Sequence, residues 1–231
     1  MGPKLYGIEH IIYLLVMTAI FVTIFLLSHK YAKTENSKVL VLKGMALALL
    51  ISVVANRISI VFKTEVPAWS YLIPDSYCGM SSLVLALSVL FGKKDNAIYH
   101  FVWIVAIVGG LATTFYSNFI GQNPSFFYIP TITGFLHHTI SVGVVIALFL
   151  FKQITLDIKK WFYVPLGLCC YYALGAFLMA TFGYGDAFSM FTPILEGTPL
   201  DAWLITPIYT VVYVISCLVS NLITKKRKTT E

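Results

Sequence analysis

Long apolar segments alternate with short polar stretches along the whole chain. Seven segments contain almost no Asp, Glu, Lys or Arg and are bounded by charged or turn-rich residues. They cover residues 11–27, 39–62, 76–91, 96–115, 130–151, 161–182 and 202–223. Most of them approach the roughly 20 residues that a helix needs to cross the hydrocarbon core of a bilayer. Because backbone groups in hydrocarbon must bond within their own segment, the pattern predicts seven transmembrane helices.

The fourth and fifth spans are separated by composition rather than by charge. No Asp, Glu, Lys or Arg occurs in 96–151, which is too long for a single span. Residues 117–125, Ser-Asn-Phe-Ile-Gly-Gln-Asn-Pro-Ser, are polar and rich in turn-forming residues, and they indicate a loop. A transmembrane barrel would show shorter segments of alternating hydrophobicity, which the sequence lacks. The predicted fold class is therefore all-α.

Composition supports the same conclusion. The 231 residues are 58% apolar and only 11% charged, with a mean hydropathy of +0.84. A soluble domain has about a quarter of its residues charged. These values exclude disordered, collagen-like and ordinary soluble proteins, and they favour one polytopic membrane domain over residues 1–231.

The positive charge, +6 overall, is distributed unevenly between the two ends of the predicted spans. Most lysines fall in loops one–two, three–four and five–six or in the C-terminal tail: Lys30, Lys33, Lys38, Lys93, Lys94, Lys152, Lys159, Lys160, Lys225, Lys226 and Lys228. Cytoplasmic loops carry such an excess, so we expect the N-terminus outside and the C-terminus in the cytosol. Topology thus accounts for the charge, and we expect no nucleic-acid partner. Lys greatly outnumbers Arg, which suggests an AT-rich bacterial genome. We therefore expect a bacterial protein in the plasma membrane.

Ionisable and reactive residues collect in the outer half of the predicted bundle. Seven of them come from four spans: Glu9, His10, Asn56, Arg57, Cys78, His137 and His138. Each has a structural explanation on its own, since a cysteine fills apolar space and an arginine can reach outward or pair with Glu9. Their common depth favours function, because intramembrane ionisable groups mark functional sites by default.

Cys78 and His138 offer the clearest chemistry among these residues. A cysteine with a histidine partner is the minimal constellation for acyl transfer. The thiol would attack an ester carbonyl, the imidazole would take and return the proton, and a cation or amide would stabilise the oxyanion. Arg57 or Asn56 could serve as that electrostatic partner. Glu9, His10 and His137 complete the set of residues that we expect to bind the substrate or act on it electrostatically. We expect a membrane lipid, a phospholipid-like ester of the outer leaflet, as the substrate.

Other functions fit the same residues. Glu9, His10, His137 and His138 include ligand types that zinc accepts, but adjacent histidines diverge on a helix, and we expect neither a metal nor a cofactor. A small-molecule carrier is a second alternative, although the chain shows no internal repeat of the kind many carriers have. A lipid-binding membrane subunit without catalysis is the third.

Four short motifs contain or adjoin the ionisable and reactive residues of the outer half. They are 6–10 (Tyr-Gly-Ile-Glu-His), 74–78 (Pro-Asp-Ser-Tyr-Cys), 124–126 (Pro-Ser-Phe) and 135–138 (Phe-Leu-His-His). In this order they resemble motifs of the YwaF-like family of bacterial integral membrane proteins. Those motifs are an aromatic-Gly-x-Glu-His opening, a Pro-x-x-x-Cys entry to the third span, a Phe-Pro-x-Phe loop and a helix ending in Ser-His-Gly.

The resemblance implies a seven-helix fold and an activity. An animal relative of that family is a transmembrane acyltransferase that makes polyunsaturated ether phospholipids. The resemblance therefore implies a cysteine-centred acyl transfer that also uses a histidine. In this chain it assigns those two roles to Cys78 and His138 and to no other residue. Two positions differ from many family members. Ser76 stands where a histidine often precedes the cysteine by two residues, and 185–188 stands where an Asn-Tyr pair often precedes the last span.

Overall fold

All regular secondary structure in the described part of the chain is helical, which confirms the all-α prediction. The computed structural model describes residues 6–63, 65–116, 125–194 and 197–228. These contain seven α-helices: α1 (Ile8–Tyr31), α2 (Glu35–Val61), α3 (Tyr77–Phe91), α4 (Ala97–Phe115), α5 (Ile129–Leu150), α6 (Tyr163–Phe182) and α7 (Ala202–Lys228). Three short 3-10 helices cover Trp69–Leu72, Ile158–Lys160 and Ala187–Ser189. Residues 117–124 of the predicted loop, and with them the first residue of the motif at 124–126, fall outside the described residues.

Local sequence signals fix where several of these helices begin and end. The Thr34 side chain accepts a hydrogen bond from the first turn of α2. Ser76 and Asn96 do the same for α3 and α4. Such side chains satisfy amide groups that have no partner within the helix. Gly183, with φ +65°, ends α6 in the left-handed conformation that glycine adopts without strain.

Six of the seven described helices are long and apolar enough to cross a membrane. The exception is α3, whose 15 residues give a length of roughly 22 Å. A bilayer core is about 30 Å thick, so α3 alone does not reach across it. The count of seven spans and their orientation therefore stay predictions.

The bundle is organised around α4 and α5, which are the most buried of the long helices. These two pack against each other, α2 packs on α5 and α3, and α6 packs on α4. At the periphery, α1 is held by polar contacts near its start. The His10 Nε2–H group donates to the Thr114 carbonyl at 2.8 Å, and the Tyr13 hydroxyl donates to Thr139 Oγ1 at 2.8 Å.

Candidate functional site

A cavity of about 540 Å³ opens between α3, α4, α5 and α7 beneath the α6–α7 connection. Its walls are formed by Asp75, Ser76, Tyr77, Cys78, Val105, Val108, Gly109, Ala112, Thr113, His138, Asp186, Phe188, Ser189, Ile194, Leu200, Ile205, Ile208 and Tyr209. The volume lies within the range of ligand pockets, about 300–1,000 Å³. Cys78 and His138, which the sequence predicts as a pair, are both in this wall.

The start of α3 lines the cavity and sets the place of Cys78. Helix α3 begins at Tyr77, after its cap Ser76, so Cys78 is its second residue. Within the described residues no carbonyl accepts from the Tyr77 or Cys78 amides, and the Cys78 amide interacts with its own sulfur. A helix N-terminus with free amides stabilises negative charge on a thiolate or an oxyanion.

His138 contributes a side chain without a polar partner. It is only 8% exposed, and among the described residues its ring forms no hydrogen bond, neither with Cys78 nor with any other group. Its ring centroid lies 4.2 Å from that of His137. His137 Nδ1 in turn is 3.3 Å from Ser82 Oγ of α3. The thiol and the imidazole therefore share one cavity without direct contact, and His137 ties α5 to α3 behind them.

Arg57 and Asn56 support this region without lining the cavity. Arg57 Nη1 lies 3.7 Å from Asp75 Oδ1, and its guanidinium interacts electrostatically with His137 and His138. Asp75, rather than Glu9, is thus its acidic partner. The Asn56 amide donates to the Pro130 carbonyl at 3.0 Å and joins α2 to the start of α5.

Glu9 and His10 lie outside the cavity wall. Glu9 is exposed, whereas His10 is buried between α1 and α4 against Thr114. The four side chains of the metal hypothesis consequently do not converge. In the part of the chain that the structure describes, no three His, Cys, Asp or Glu side chains are placed to hold a metal ion.

The α6–α7 connection covers the cavity with a strained turn. Phe188 and Ser189 have φ values of +57° and +47°, a conformation that is rare for residues other than glycine. Phe188 is held there because its amide donates to the Asp75 carbonyl at 2.7 Å and its ring packs against Tyr77 and Tyr171. The roof of the cavity is thus attached directly to the residues that precede α3.

Asp186 stabilises the same connection. It accepts hydrogen bonds from the Phe191 amide at 3.0 Å and from the Thr192 amide at 2.7 Å, and also from the Thr192 hydroxyl. Burial opposes ionisation of this carboxyl, but these hydrogen bonds outweigh it and hold the pKa of Asp186 below its ordinary value. An ionised carboxylate therefore forms part of the cavity wall.

Sequence reasoning missed several wall residues, notably Gly109 and Phe188. Phe188 carries no signal in an apolar sequence, because aromatic residues are equally common on lipid-facing surfaces. Gly109 did carry one, since it stands beside Gly110 inside an apolar span. Small residues in such spans allow helices to approach closely.

A family model described as the TMEM164 family matches residues 5–225. No curated protein and no solved structure matches the chain. With nearly its whole length matched and six apolar helices long enough to cross a bilayer, the chain is a multi-pass membrane protein that belongs to the TMEM164 family.

Proposed function

We propose that this protein is a membrane-embedded acyltransferase or lipid hydrolase with Cys78 as nucleophile and His138 as general base. One observation carries the proposal: a thiol and an imidazole from two separate helices line the same cavity. A nucleophile and a base that share a site are the minimum for acyl transfer. The resemblance to the YwaF-like family, which has an acyltransferase as an animal relative, adds support.

The proposed reaction proceeds in two balanced steps. His138 takes the proton of the Cys78 thiol through one bridging water, because no direct hydrogen bond joins them. The sulfur attacks the ester carbonyl, the C–O bond breaks, and the leaving alcohol receives the proton from His138, which gives a thioester on Cys78. A lipid hydroxyl or water then attacks the thioester with His138 as base, and the thiol is restored.

The N-terminus of α3 would supply the electrostatic part of this reaction. The Cys78 amide interacts with the sulfur, and neither it nor the adjacent Tyr77 amide donates to a carbonyl among the described residues. Preorganised amides of this kind stabilise the oxyanion that forms at the attacked carbonyl. Arg57 lies behind the same turn, beside Asp75. Its role would be long-range, because it is not part of the cavity wall.

The lining of the cavity suits an amphiphile. Asp186 and Ser189 give the cavity a polar part, whereas Val105, Val108 and Ile208 form an apolar wall. A lipid could bind with its polar group against the polar part and an acyl chain along the apolar wall. This arrangement supports a phospholipid-like ester as the substrate.

We further propose seven spans in a bacterial plasma membrane, with the N-terminus outside and the C-terminus in the cytosol. In this topology the start of α3, the first half of α5 and the start of α7 all face the outer leaflet, and the cavity draws on each of them. The lysine-rich connections lie at the other end. The cavity would then receive lipid from the outer leaflet, with the connection before α3 completing that short span.

The experiment is detection of the acyl-enzyme. Protein in detergent is mixed with a phospholipid that carries a labelled acyl chain, quenched in acid and digested for mass spectrometry. We expect a hydroxylamine-sensitive thioester on Cys78 that is lost in Cys78→Ala. The matched control is Cys217→Ala, because Cys217 is buried on α7 and is not part of the cavity wall. If wild-type protein forms no adduct and Cys78→Ala leaves membrane lipid composition unchanged, the enzyme proposal fails.

A second function deserves a test because the thiol and the imidazole make no direct hydrogen bond. A non-catalytic lipid-binding subunit would use the same amphiphilic cavity and need no such contact. It would retain co-purified lipid in both wild-type and Cys78→Ala protein and form no thioester. Substrate uptake into proteoliposomes that Cys78→Ala does not affect would instead favour a carrier.

A further inference from the structure

Two adjacent glycines of α4 contact the two residues of the proposed catalytic pair. A Cβ atom built on Gly109 would lie 2.4 Å from Cys78 Sγ. A Cβ atom built on Gly110 would lie 2.8 Å from the His138 carbonyl oxygen and 2.6 Å from Val142 Cγ2. Real Cβ atoms essentially never come within 3.0 Å of such neighbours. A larger residue at Gly109 would therefore displace the Cys78 sulfur, and one at Gly110 would press on the His138 main chain and push α5 away from α4.

The two glycines act in different directions. Consecutive residues on an α-helix point about 100° apart, so Gly109 faces α3 while Gly110 faces α5. On the α5 side the contact is also fixed by Ser141, whose hydroxyl donates to the His138 carbonyl at 2.7 Å. The α4 backbone thus lies against the Cys78 sulfur at Gly109 and against the His138 main chain at Gly110.

We propose that Gly109 and Gly110 are positioning residues that set the separation of the Cys78 sulfur and the His138 imidazole across α4. The inference rests on the proposed Cys78–His138 chemistry, and it assigns these glycines a part in the reaction beyond packing. A misplacement of about 1 Å can cost about 10²-fold in rate, so the depth at which each helix rests on α4 would control acyl transfer.

The first measurement does not depend on catalysis. In a C169S/C170S/C217S background, Cys78 is the only thiol, and its alkylation by a small maleimide can be timed. We expect Gly109→Ala to slow alkylation by about tenfold or more, because the added methyl takes the wall position beside the sulfur. Gly110→Ala faces α5 and should leave alkylation unchanged.

Two other glycines provide matched controls. Gly44 of α2 has nothing within 4 Å of a built Cβ, so Gly44→Ala tests the effect of a helical Gly-to-Ala change alone. Gly167 of α6 would place its Cβ 2.3 Å from Phe101 Cγ, so Gly167→Ala introduces a clash of equal severity elsewhere. Neither residue lines the cavity, and neither substitution should change the alkylation rate of Cys78.

The second measurement is the rate of Cys78 acylation by labelled lipid. Both Gly109→Ala and Gly110→Ala should lower the maximal rate about tenfold or more with little change in the lipid concentration at half-saturation. Gly110→Ala would thus lose acylation while keeping alkylation. If Gly110 had a merely structural role, Gly110→Ala would lower both rates together, whereas the Gly167→Ala control should leave both unchanged.

A double substitution keeps the proposal testable if Gly109→Ala folds poorly. Cys78→Ala removes the sulfur that the new methyl would meet, so the double variant should regain the melting temperature that Gly109→Ala loses. Failure of this rescue, or normal Cys78 alkylation in Gly109→Ala, overturns the positioning role. If alkylation responds as expected but wild-type protein never forms a thioester, the glycine contact stands and the enzyme proposal fails.

Discussion

Two buried histidines at opposite ends of the bundle have very different surroundings. His138, in the cavity wall, forms no ring hydrogen bond to any described residue. His100, in the first turns of α4, uses both ring nitrogens: Nδ1 lies 2.9 Å from the Tyr213 hydroxyl, and Nε2 lies 3.0 Å from Asp95 Oδ1. The same residue type is thus satisfied at one end and left without a partner at the other.

The His100 end is a closed polar network that joins three separate segments. Lys160, before α6, pairs with Asp95 of the α3–α4 connection. The Tyr213 hydroxyl of α7 donates to the Asp157 carbonyl at 3.1 Å. Buried polar groups in native structures almost always have partners, so a complete network indicates architecture. A buried imidazole that lacks one, beside a cavity, indicates a group reserved for a ligand or a proton.

The largest expected effect follows from this contrast at His138. We predict that His138→Gln lowers the rate of Cys78 acylation about 10²- to 10⁴-fold, the usual contribution of a general base. The free energy of unfolding should change by less than about 1 kcal/mol, because no hydrogen bond is lost. Labelled-lipid acylation and denaturant titration in detergent measure the two quantities. Equal losses of stability and activity would argue that His138 is structural.

The matching substitution at the other end should have the reverse outcome. We predict that His100→Gln destabilises the protein by about 2–3 kcal/mol, because Asp95 and Tyr213 lose a shared buried partner. Once folded, this variant should acylate Cys78 at the wild-type rate, since His100 is remote from the cavity wall. The same titration and acylation assay apply. A stable His100→Gln protein with lost activity would reverse the assignment of the two histidines.

The sequence predicted the helical architecture better than the site. Charge positions and apolar length locate helices such as α5 and α7, because a bilayer leaves few alternatives for a long apolar segment. The sequence also indicated Cys78 and His138, because reactive side chains are rare within apolar segments. It did not reveal that Asn56 would hold α5 or that His10 would bond to Thr114, because those roles depend on helix rotation and neighbour choice. Phe188 depends on a loop conformation that no periodic pattern encodes.

Two tyrosines one turn apart on α7 allow the comparison to be made on a single helix. Tyr213 belongs to the network, whereas Tyr209 lines the cavity and forms no hydrogen bond to a described residue. We predict that Tyr213→Phe costs about 1–2 kcal/mol of unfolding free energy, because buried groups of His100 and Asp157 lose their partner. Tyr209→Phe should change it by less than about 0.5 kcal/mol. Denaturant titration of both variants checks the difference, and equal costs would remove the distinction between the two ends.

The smallest expected effect concerns acid stability at the network end. Burial raises the pKa of the Asp95 carboxyl, but the Lys160 ammonium, the Thr155 amide and the His100 ring outweigh it and lower that pKa below its ordinary value. A carboxyl whose pKa is lower in the folded state than in the unfolded state stabilises the protein at pH values above the ordinary carboxyl pKa. This contribution is lost as the pH falls through the lowered folded pKa.

The unfolding free energy of Lys160→Gln should therefore decrease less than that of the wild type as the pH is lowered from 6 through about 4, where free carboxyls protonate. Because Asp95 is 30% exposed, the difference from wild type should stay below about 1 kcal/mol. Lys159→Gln is the matched control, since Lys159 is adjacent but exposed and its side chain takes no part in the network. If both variants keep the wild-type pH profile, the ion pair contributes nothing measurable, and the His100 end is held by its neutral hydrogen bonds alone.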